Sequence, residues 1–391
     1  MQEVVDAPDR QRLRRLQGYV EQDPGNALLL ADAWQAAAQA GEPALAAGFA
    51  RQAGAAEPAR EALWLQREAH ALVDAGQLGQ AQAVLEQARD RGLPALLADH
   101  DLACIALREG RFDRAVEITG PWLQGDPAQD PDAIALMQAS WLRSMHRLGR
   151  VQAAWRWVEG REQGGQLLSP AAAGPASLLA IDADRFGDAQ RLAERALQAR
   201  VDDAEALTAS GCVAIARGET AHAEHLLGLA ERQTAADGRV QSALGLAALQ
   251  AGRMEQARQR FERAVAGMAS HVGSWHGLGW SLLLQGRLGD AEAAFRRAVD
   301  LDPNFGESHG ALGLALLLQG DRTAAEPCLR RAHKLDPRNV TASFAAALGA
   351  GRLSPAQFNA LARRLLDRPG FFGEKLSARW AERPMGEEAS R

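Results

Sequence analysis

His222 and His225 stand three residues apart, with Glu224 between them, in a stretch of helical periodicity. Imidazoles at this spacing share one face of a helix, so the pair could bind a transition metal such as zinc. A structural zinc site has four ligands, and the two histidines supply only two of them. The sequence therefore favours a solvated helix face here, and no metal or other cofactor is predicted.

Cysteine thiols are the other side chains that could do chemistry. Cys104, Cys212 and Cys328 are far apart and odd in number, and each falls inside a helical segment. This pattern predicts buried free thiols without a redox role, rather than a disulfide or a metal set. No Ser-His-Asp set, carboxylate pair or phosphate-binding loop stands out from the other polar residues. We therefore expect a protein without catalytic activity.

Charge and composition exclude further classes of function. The net charge of −5 argues against a nucleic-acid partner, which requires a basic face. No apolar run approaches the roughly 18 residues of a membrane span, and the opening MQEVVDAPDRQR lacks a secretory leader. These features predict a cytoplasmic protein. Arginine far outnumbers lysine, which occurs only at Lys334 and Lys375, and with abundant alanine and glycine this indicates a bacterial source.

Glycine and alanine recur through the second half of the chain with a step of 34 residues. Two glycine columns keep this step: Gly211, Gly245, Gly279 and Gly313, then Gly218, Gly252, Gly286 and Gly320. Two alanine columns share it: Ala223, Ala257, Ala291 and Ala325, then Ala230, Ala264, Ala298 and Ala332. A fixed step of this length is typical of repeat architectures. The positions that recur are therefore predicted to have a structural role in every unit.

Residues 272–305 show what one unit contains. Apolar side chains recur there at three- and four-residue spacing in two runs, which indicates two amphipathic helices. The runs consist of Trp275, Leu278 and Leu282, and of Ala291, Ala294, Phe295 and Ala298. Gly286 lies between the runs, just past a helix end, where a left-handed backbone favours glycine. The small Gly279 and Ala291 are expected where the two helices cross closely.

These residues resemble the signature of the tetratricopeptide repeat family. The matching positions are Trp275, Leu278, Gly279, Ala291, Phe295, Ala298 and Pro303, and most of them recur as Leu312, Gly313, Ala325, Ala332 and Pro337. Units start near residues 27, 62, 96, 135, 170, 204, 238, 272 and 306. The resemblance implies an all-α fold, a right-handed α-solenoid of about nine helix-turn-helix repeats with capping helices at both ends.

The chain is predicted to consist of four parts. They are an N-terminal capping helix in residues 1–26, an irregular repeat array in 27–169, a regular array in 170–339, and a C-terminal capping helix and tail in 340–391. Gly174-Pro175 falls where a first helix should run, so either that helix is short or the array bends there. Ser354-Pro355 predicts the start of the C-terminal cap.

A binding groove follows from the resemblance. In this family the first helix of each unit lines a concave face through its second, fifth, ninth, twelfth and thirteenth residues. The candidate peptide-binding residues at such places are Thr208, Cys212, Arg239, Ser242, Leu246, His276, Trp280, Leu283, Leu314 and Leu317. This face is mainly apolar, and the basic residues with which some members hold a terminal carboxylate are missing.

The sequence thus predicts a protein-interaction scaffold that binds an apolar or amphipathic segment of another protein or peptide, with Trp280 and Leu246 as central contacts. Packing between helices could instead explain Leu283 and Leu317, and Trp280 could belong to groove or core. The alternative is a structural subunit of a bacterial secretion, pilus or envelope-polysaccharide machine. It would dock through its convex face or through the apolar tail at Phe371, Phe372 and Trp380. Self-association is left open.

Overall fold

The structure, a computed structural model, describes residues 8–124 and 130–351. Within these ranges the fold is all-α, as predicted. The helices are α1 Pro8–Gln22, α2 Ala27–Gln39, α3 Pro43–Ala56, α4 Glu61–Asp74, α5 Leu78–Asp90, α6 Ala95–Arg108, α7 Phe112–Thr119, α8 Pro131–Arg147, α9 Val151–Gln163, α10 Pro170–Asp182, α11 Phe186–Ala199, α12 Ala204–Ala216, α13 Thr220–Gln233, α14 Gly238–Gln250, α15 Met254–Gly267, α16 Val272–Leu283, α17 Leu288–Leu301, α18 Gly306–Leu318, α19 Arg322–Leu335 and α20 Val340–Gly349. Two single turns of 3-10 helix lie at Pro58–Arg60 and Gly120–Trp122.

Two compact units make up the chain, Met1–Leu148 and Gly149–Arg391. Of the described helices, α1 to α8 belong to the first unit and α9 to α20 to the second. The predicted boundary near residue 169 rests on the regularity of the repeats and not on compactness. It therefore stays a prediction.

First helices begin where the 34-residue step places them. The even-numbered helices from α2 to α18 start at Ala27, Glu61, Ala95, Pro131, Pro170, Ala204, Gly238, Val272 and Gly306. Eight of these nine starts lie within one residue of the predicted unit starts, and α8 begins four residues early at Pro131. Side chains of Asn26, Ser169 and Asp203 cap three of the helices by accepting a hydrogen bond from a backbone amide.

The glycine columns have the two roles that the sequence predicts. A Cβ at Gly279 would lie 2.5 Å from Phe295 of the paired helix, and Gly211, Gly245 and Gly313 face Leu227, Phe261 and Leu329 in the same way. These glycines let the helices of a pair approach closely. The second column has positive φ throughout, +78° at Gly286, as expected for a residue that ends a helix in the left-handed conformation.

Alanines of both columns are completely buried at the helix crossings. Between them, large side chains such as Phe261 and Phe295 fill the core of the second unit with 0 % exposure. Burying a side chain of this size stabilises the fold by about 2 kcal/mol. The alternation of small and large residues therefore sets both the spacing and the stability of the helix pairs.

The interruption at Gly174-Pro175 does not shorten its helix. Helix α10 has 13 residues, the same length as α12 and α14, and Pro175 lies inside it. A Cβ at Gly174 would lie 2.7 Å from an oxygen of Asp203, the residue that caps α12, which explains the glycine. The first alternative, a short helix, is wrong. A bend of the array stays a prediction.

Each end of the described chain has a helix beyond the nine pairs. Helix α1 packs on α2 through buried Leu13 and Val20, as expected of an N-terminal cap. Helix α20 packs on α18 and begins at Val340, ahead of the cap predicted from Ser354. Ser354-Pro355 and the apolar tail at Phe371, Phe372 and Trp380 lie outside the described residues.

Candidate functional site

Neighbouring first helices of the second unit contact one another directly, from α10 through α12, α14, α16 and α18 to α20. Polar side chains join them. Ser274 of α16 donates from Oγ to Oγ of Ser242 on α14 at 3.1 Å, and Gln250 of α14 donates to the carbonyl of Ile215 on α12 at 3.1 Å. We call the surface formed by α12, α14, α16 and α18 the first-helix face. The predicted groove residues belong to these four helices.

Burial divides the ten predicted groove residues into two groups. Six are buried: Thr208, Ser242, Leu246, His276, Leu283 and Leu314. Four keep partial exposure: Cys212, Arg239, Trp280 and Leu317. Leu246, Leu283 and Leu314 belong to the core of the second unit, and Leu314 has no accessible surface at all. Of the ten residues, the four that are partly exposed are therefore the ones that can contact a ligand directly.

Trp280 is the large aromatic residue of the accessible group. Its indole Nε1 donates a hydrogen bond to Nε2 of His276, one helical turn earlier in α16, at 2.9 Å. Its ring also meets Phe295 of α17 edge to face, with centroids 6.0 Å apart. One edge of the indole is thus fixed while the residue stays partly exposed. Trp280 lies at the border between core and surface.

His276 supports Trp280 from inside the protein. It is 1 % exposed and packs against Phe295 and Phe305, with ring centroids 5.4 and 5.8 Å away. Burial lowers the pKa of His276 to about 3, so the imidazole is neutral at physiological pH. Because Nε2 accepts from Trp280, Nδ1 carries the hydrogen. This Nδ1 is buried without a hydrogen-bond partner among the described residues.

The remaining accessible residues add little chemical reactivity. Burial raises the pKa of the Cys212 thiol to about 12, so that its sulfur stays protonated and apolar in character. Arg239 approaches Asp237, with Nε 3.7 Å from a carboxylate oxygen. Leu317 packs partly against the core of the second unit. The four accessible groove residues therefore offer mainly apolar surface with one cation, a set that suits recognition of another protein.

The histidine pair considered for a metal lies on the surface. His222 and His225 are both exposed on α13. Over residues 8–124 and 130–351, no three His, Cys, Asp or Glu side chains are grouped in a way that could hold a metal ion. Every helix in these ranges is also too short or too polar to cross a lipid bilayer.

A second cluster of polar side chains lies in the first unit, and the sequence reading missed it. Asp101 of α6 is buried and accepts hydrogen bonds at Oδ2 from Gln66 at 2.7 Å and from His70 at 2.9 Å, both on α4. Its other oxygen lies 3.1 Å from Nδ1 of His100, and Nε2 of His100 lies 3.7 Å from Sγ of Cys104. We call these five residues the Asp101 cluster.

Charge concentrates in the Asp101 cluster. Burial by itself raises the pKa of Asp101, but hydrogen bonds from His100 and His70 outweigh it and hold the pKa well below its ordinary value. The hydrogen bond to Asp101, with a smaller effect of Cys104, raises the pKa of His100 to about 10. His70 has a raised pKa for the same reason. The three cysteines are free, as predicted, but the expectation that they are buried is wrong, because all three are partly exposed.

Comparison with known protein families agrees with the repeat geometry. The tetratricopeptide repeat family matches residues 67–119, 242–304 and 306–339. The chain is a tetratricopeptide repeat protein. Repeats of this family form contacts with other proteins, so the chain is a protein-interaction scaffold. No curated protein matches this tetratricopeptide repeat protein significantly.

Several solved structures resemble parts of this tetratricopeptide repeat protein. A structure of MamA from MSR-1 is 22% identical and covers 43% of this chain and 97% of its own, with a TM-score of 0.36. MamA from Desulfovibrio magneticus RS-1 is 18% identical over 44% of this chain and 97% of its own, with a TM-score of 0.37. YrrB, described as a TPR protein with an unusual peptide-binding site, is 19% identical over 52% of this chain and 100% of its own, with a TM-score of 0.37. At these scores the likeness carries no functional conclusion.

The family's spacing contains a signal for the missed cluster. Gln66 and His70 occupy the fifth and ninth places of the unit that starts near 62, and His100 and Cys104 follow them at the 34-residue step. These are the groove places already used for the second unit. Extending the same positions to the earlier units would have brought four of the five cluster residues together. The fifth, Asp101, lies beside His100 in the sequence and has no such signal.

Proposed function

We propose that the first-helix face of the second unit binds an apolar or amphipathic segment of another protein, without catalysis. The single observation that carries this proposal is Trp280, which is partly exposed while its indole nitrogen is held by buried His276 at 2.9 Å. Tryptophan is enriched among the residues that dominate protein interfaces. A partner side chain would therefore meet an aromatic surface whose orientation is already set.

Preorganisation is what makes Trp280 a better contact than its exposure alone suggests. Ordering a free side chain at an interface costs about 0.5–1.5 kcal/mol. The hydrogen bond to His276 and the edge contact with Phe295 remove most of the indole's freedom before any partner arrives. Binding to this residue then loses little entropy.

Partner chemistry follows from the accessible residues of the face. Trp280, Leu317 and Cys212 are apolar, and Arg239 adds a positive charge. An amphipathic helix or strand with an apolar stripe and an acidic residue fits this set. Leu246, the other central contact expected from the sequence, is 9 % exposed and contributes mainly to packing.

The test is a selection from a phage-displayed random peptide library on the 391-residue chain. We expect enrichment of peptides with apolar stripes, which bind native protein and bind Trp280→Ala at least tenfold more weakly, a loss of about 1.4 kcal/mol or more. Trp275→Ala is the matched control. Trp275 lies on the same helix and is also partly exposed, but its Nε1 donates to the carbonyl of Ala269 instead of to His276.

Three results would count against the proposal. The first is a library that enriches no apolar sequence on native protein. The second is equal binding of the selected peptides to native protein and to Trp280→Ala, with both folded by circular dichroism. The third is equal weakening by Trp280→Ala and Trp275→Ala, which would assign the effect to general destabilisation of α16.

Three wider parts of the proposal follow from composition and from the repeat class. We propose a bacterial, cytoplasmic protein with no nucleic-acid partner, on the grounds of its arginine-rich composition and net charge of −5. The alternative of an assembly subunit stays a prediction, because the tail at Phe371, Phe372 and Trp380 that would dock lies outside the described residues. Gel filtration of the chain with and without residues 370–391 would test it.

A further inference from the structure

We propose that Cys104 is a peroxide-reactive thiol, activated by His100 and Asp101 within the first unit. The proposal concerns a different unit from the first-helix face and is independent of peptide binding. Its basis is a line of three groups on helix α6, in which a carboxylate contacts an imidazole and the imidazole contacts a sulfur. The sulfur is the nucleophile, the imidazole is its charge partner, and the carboxylate orients the imidazole. These are the parts of an activated thiol.

Geometry fixes the role of each member of this line. His100 Nδ1 lies 3.1 Å from Oδ1 of Asp101, so the ring donates a hydrogen bond to the carboxylate. That bond turns Nε2 toward Sγ of Cys104, 3.7 Å away on the next helical turn. Gln66 and His70 bind the other carboxylate oxygen and keep Asp101 in place from helix α4. The carboxylate that orients the imidazole is therefore itself held from a second helix, and the imidazole faces the sulfur.

The charge state of His100 suits activation of the sulfur. With its pKa raised to about 10, chiefly by the hydrogen bond to Asp101, the ring carries both protons at neutral pH. The positive ring directs its Nε2–H toward the sulfur at 3.7 Å, and a positive charge beside a cysteine increases the reactivity of its sulfur. Thiolates are the reactive form toward peroxides. Cys104 is also partly exposed, so a small oxidant can reach it.

The reaction with hydrogen peroxide balances with the groups present. The Cys104 thiolate attacks one peroxide oxygen, an S–O bond forms and the O–O bond breaks. The sulfur is oxidised to sulfenic acid and the peroxide is reduced. The departing hydroxide takes the proton from Nε2 of His100 and leaves as water, and His100 becomes neutral.

The chain contains two thiols that serve as internal controls. Burial raises the pKa of Cys212 to about 12, and burial is also the main cause of the raised pKa of Cys328. Cys328 donates to the carbonyl of Ala324 at 3.6 Å, within its own helix. Cys328 is partly exposed like Cys104, so a difference in reaction rate between these two residues reports on chemistry more than on access.

The experiment treats the reduced 391-residue chain with hydrogen peroxide in the presence of dimedone, which traps sulfenic acid, and follows each cysteine by peptide mass spectrometry. We expect Cys104 to be labelled at least about tenfold faster than Cys212 and Cys328. His100→Gln should slow the labelling of Cys104 by about tenfold, because the positive charge beside the sulfur is lost. His70→Gln is the matched control, since it removes a contact of Asp101 without touching the sulfur, and it should retain most of the rate.

Labelling of Cys104 no faster than of Cys328 would overturn the proposal. So would an unchanged Cys104 rate in folded His100→Gln protein. If His100→Gln does not fold, the order of the three cysteines in native protein decides, and iodoacetamide alkylation of the same protein must give the same order.

Discussion

Trp280 and His276 form a hydrogen bond across one turn of helix α16, with the indole Nε1 donating to the imidazole Nε2 at 2.9 Å. The pair joins a partly exposed residue to one that is 1 % exposed. Because Nε2 of the neutral imidazole can only accept, the bond satisfies a buried acceptor as well as holding the indole. A change at Trp280 therefore affects both the surface of the protein and its interior.

Loss of this hydrogen bond should lower stability measurably. Trp280→Phe keeps an aromatic ring but leaves Nε2 of His276 without a donor, and an unsatisfied buried polar group costs about 1–3 kcal/mol. Trp275→Phe removes the bond to the exposed carbonyl of Ala269 and should cost less. The free energies of unfolding from urea denaturation give the comparison. Equal losses in the two variants would show that the bond to His276 has no special value.

The buried imidazole predicts an acid-sensitive stability. The unfolded chain binds a proton at His276 below its ordinary pKa of 6.5, whereas the folded protein does so only near 3. Its stabilisation is therefore present above pH 6.5 and is lost as the pH falls from there toward 3. Between pH 7 and 5 the native protein should lose on the order of 2 kcal/mol more than His276→Gln, which keeps an acceptor but does not titrate.

Urea unfolding at the two pH values measures this difference. His70 and His100 have raised pKa values and act in the opposite direction, since their contribution is complete below the ordinary histidine value and is lost at higher pH. They are present in both proteins and cancel in the comparison. Parallel pH profiles for native protein and His276→Gln would contradict the prediction.

The same substitution should have opposite effects at two glycines. Gly279→Ala places a Cβ 2.5 Å from Phe295, which forces the paired helices apart and should cost about 1–3 kcal/mol. Gly228→Ala, inside helix α13 with no atom within 4 Å of the new Cβ, should stabilise the protein by up to about 1 kcal/mol. Thermal unfolding followed by circular dichroism distinguishes the two. A midpoint that rises in Gly279→Ala would mean that the crossing tolerates a methyl group.

Arginine should not be replaceable by lysine at one position of the first unit. The guanidinium of Arg67 lies 4.7 Å from the ring centroid of Trp34 and 4.3 Å from that of Trp64. Lysine lacks the planar group that stacks on both rings, so Arg67→Lys should cost about 1 kcal/mol. Arg91→Lys, which alters an exposed ion pair with Glu61, should cost less than about 0.5 kcal/mol. Urea denaturation of both variants checks the difference, and equal values would exclude a role for stacking.

Much of the fold was predictable because its requirements are local. Gly286 ends a helix with φ of +78°, and Gly279 lies at a crossing with Phe295, and both needs recur in each unit at the same place. A requirement that repeats every 34 residues is visible in one sequence without any alignment. The helix starts were predictable for the same reason. Pro175 was the misleading residue, since a helix of normal length tolerates it.

The candidate site was less predictable. The groove-lining positions of the repeat family predict that Leu314 and Trp280 lie on the same face. Leu314 is nevertheless completely buried, whereas Trp280 is partly exposed. Helical periodicity gives the direction of a side chain but not how closely the next helix covers it. For the Asp101 cluster, the contacts of Gln66 and His70 with Asp101 span 35 and 31 residues. No local pattern shows such a contact.

The sequence by itself determined that this chain is an array of paired helices, where most of its first helices begin and which small residues lie at their crossings. Each of these follows from a backbone conformation or a steric limit that one residue type meets and that the 34-residue step repeats. Only the tertiary structure decided that His276 is buried beneath Trp280 and that Cys104 faces a charged His100. Those relationships depend on burial and hydrogen bonding between side chains whose packing a spacing rule does not describe.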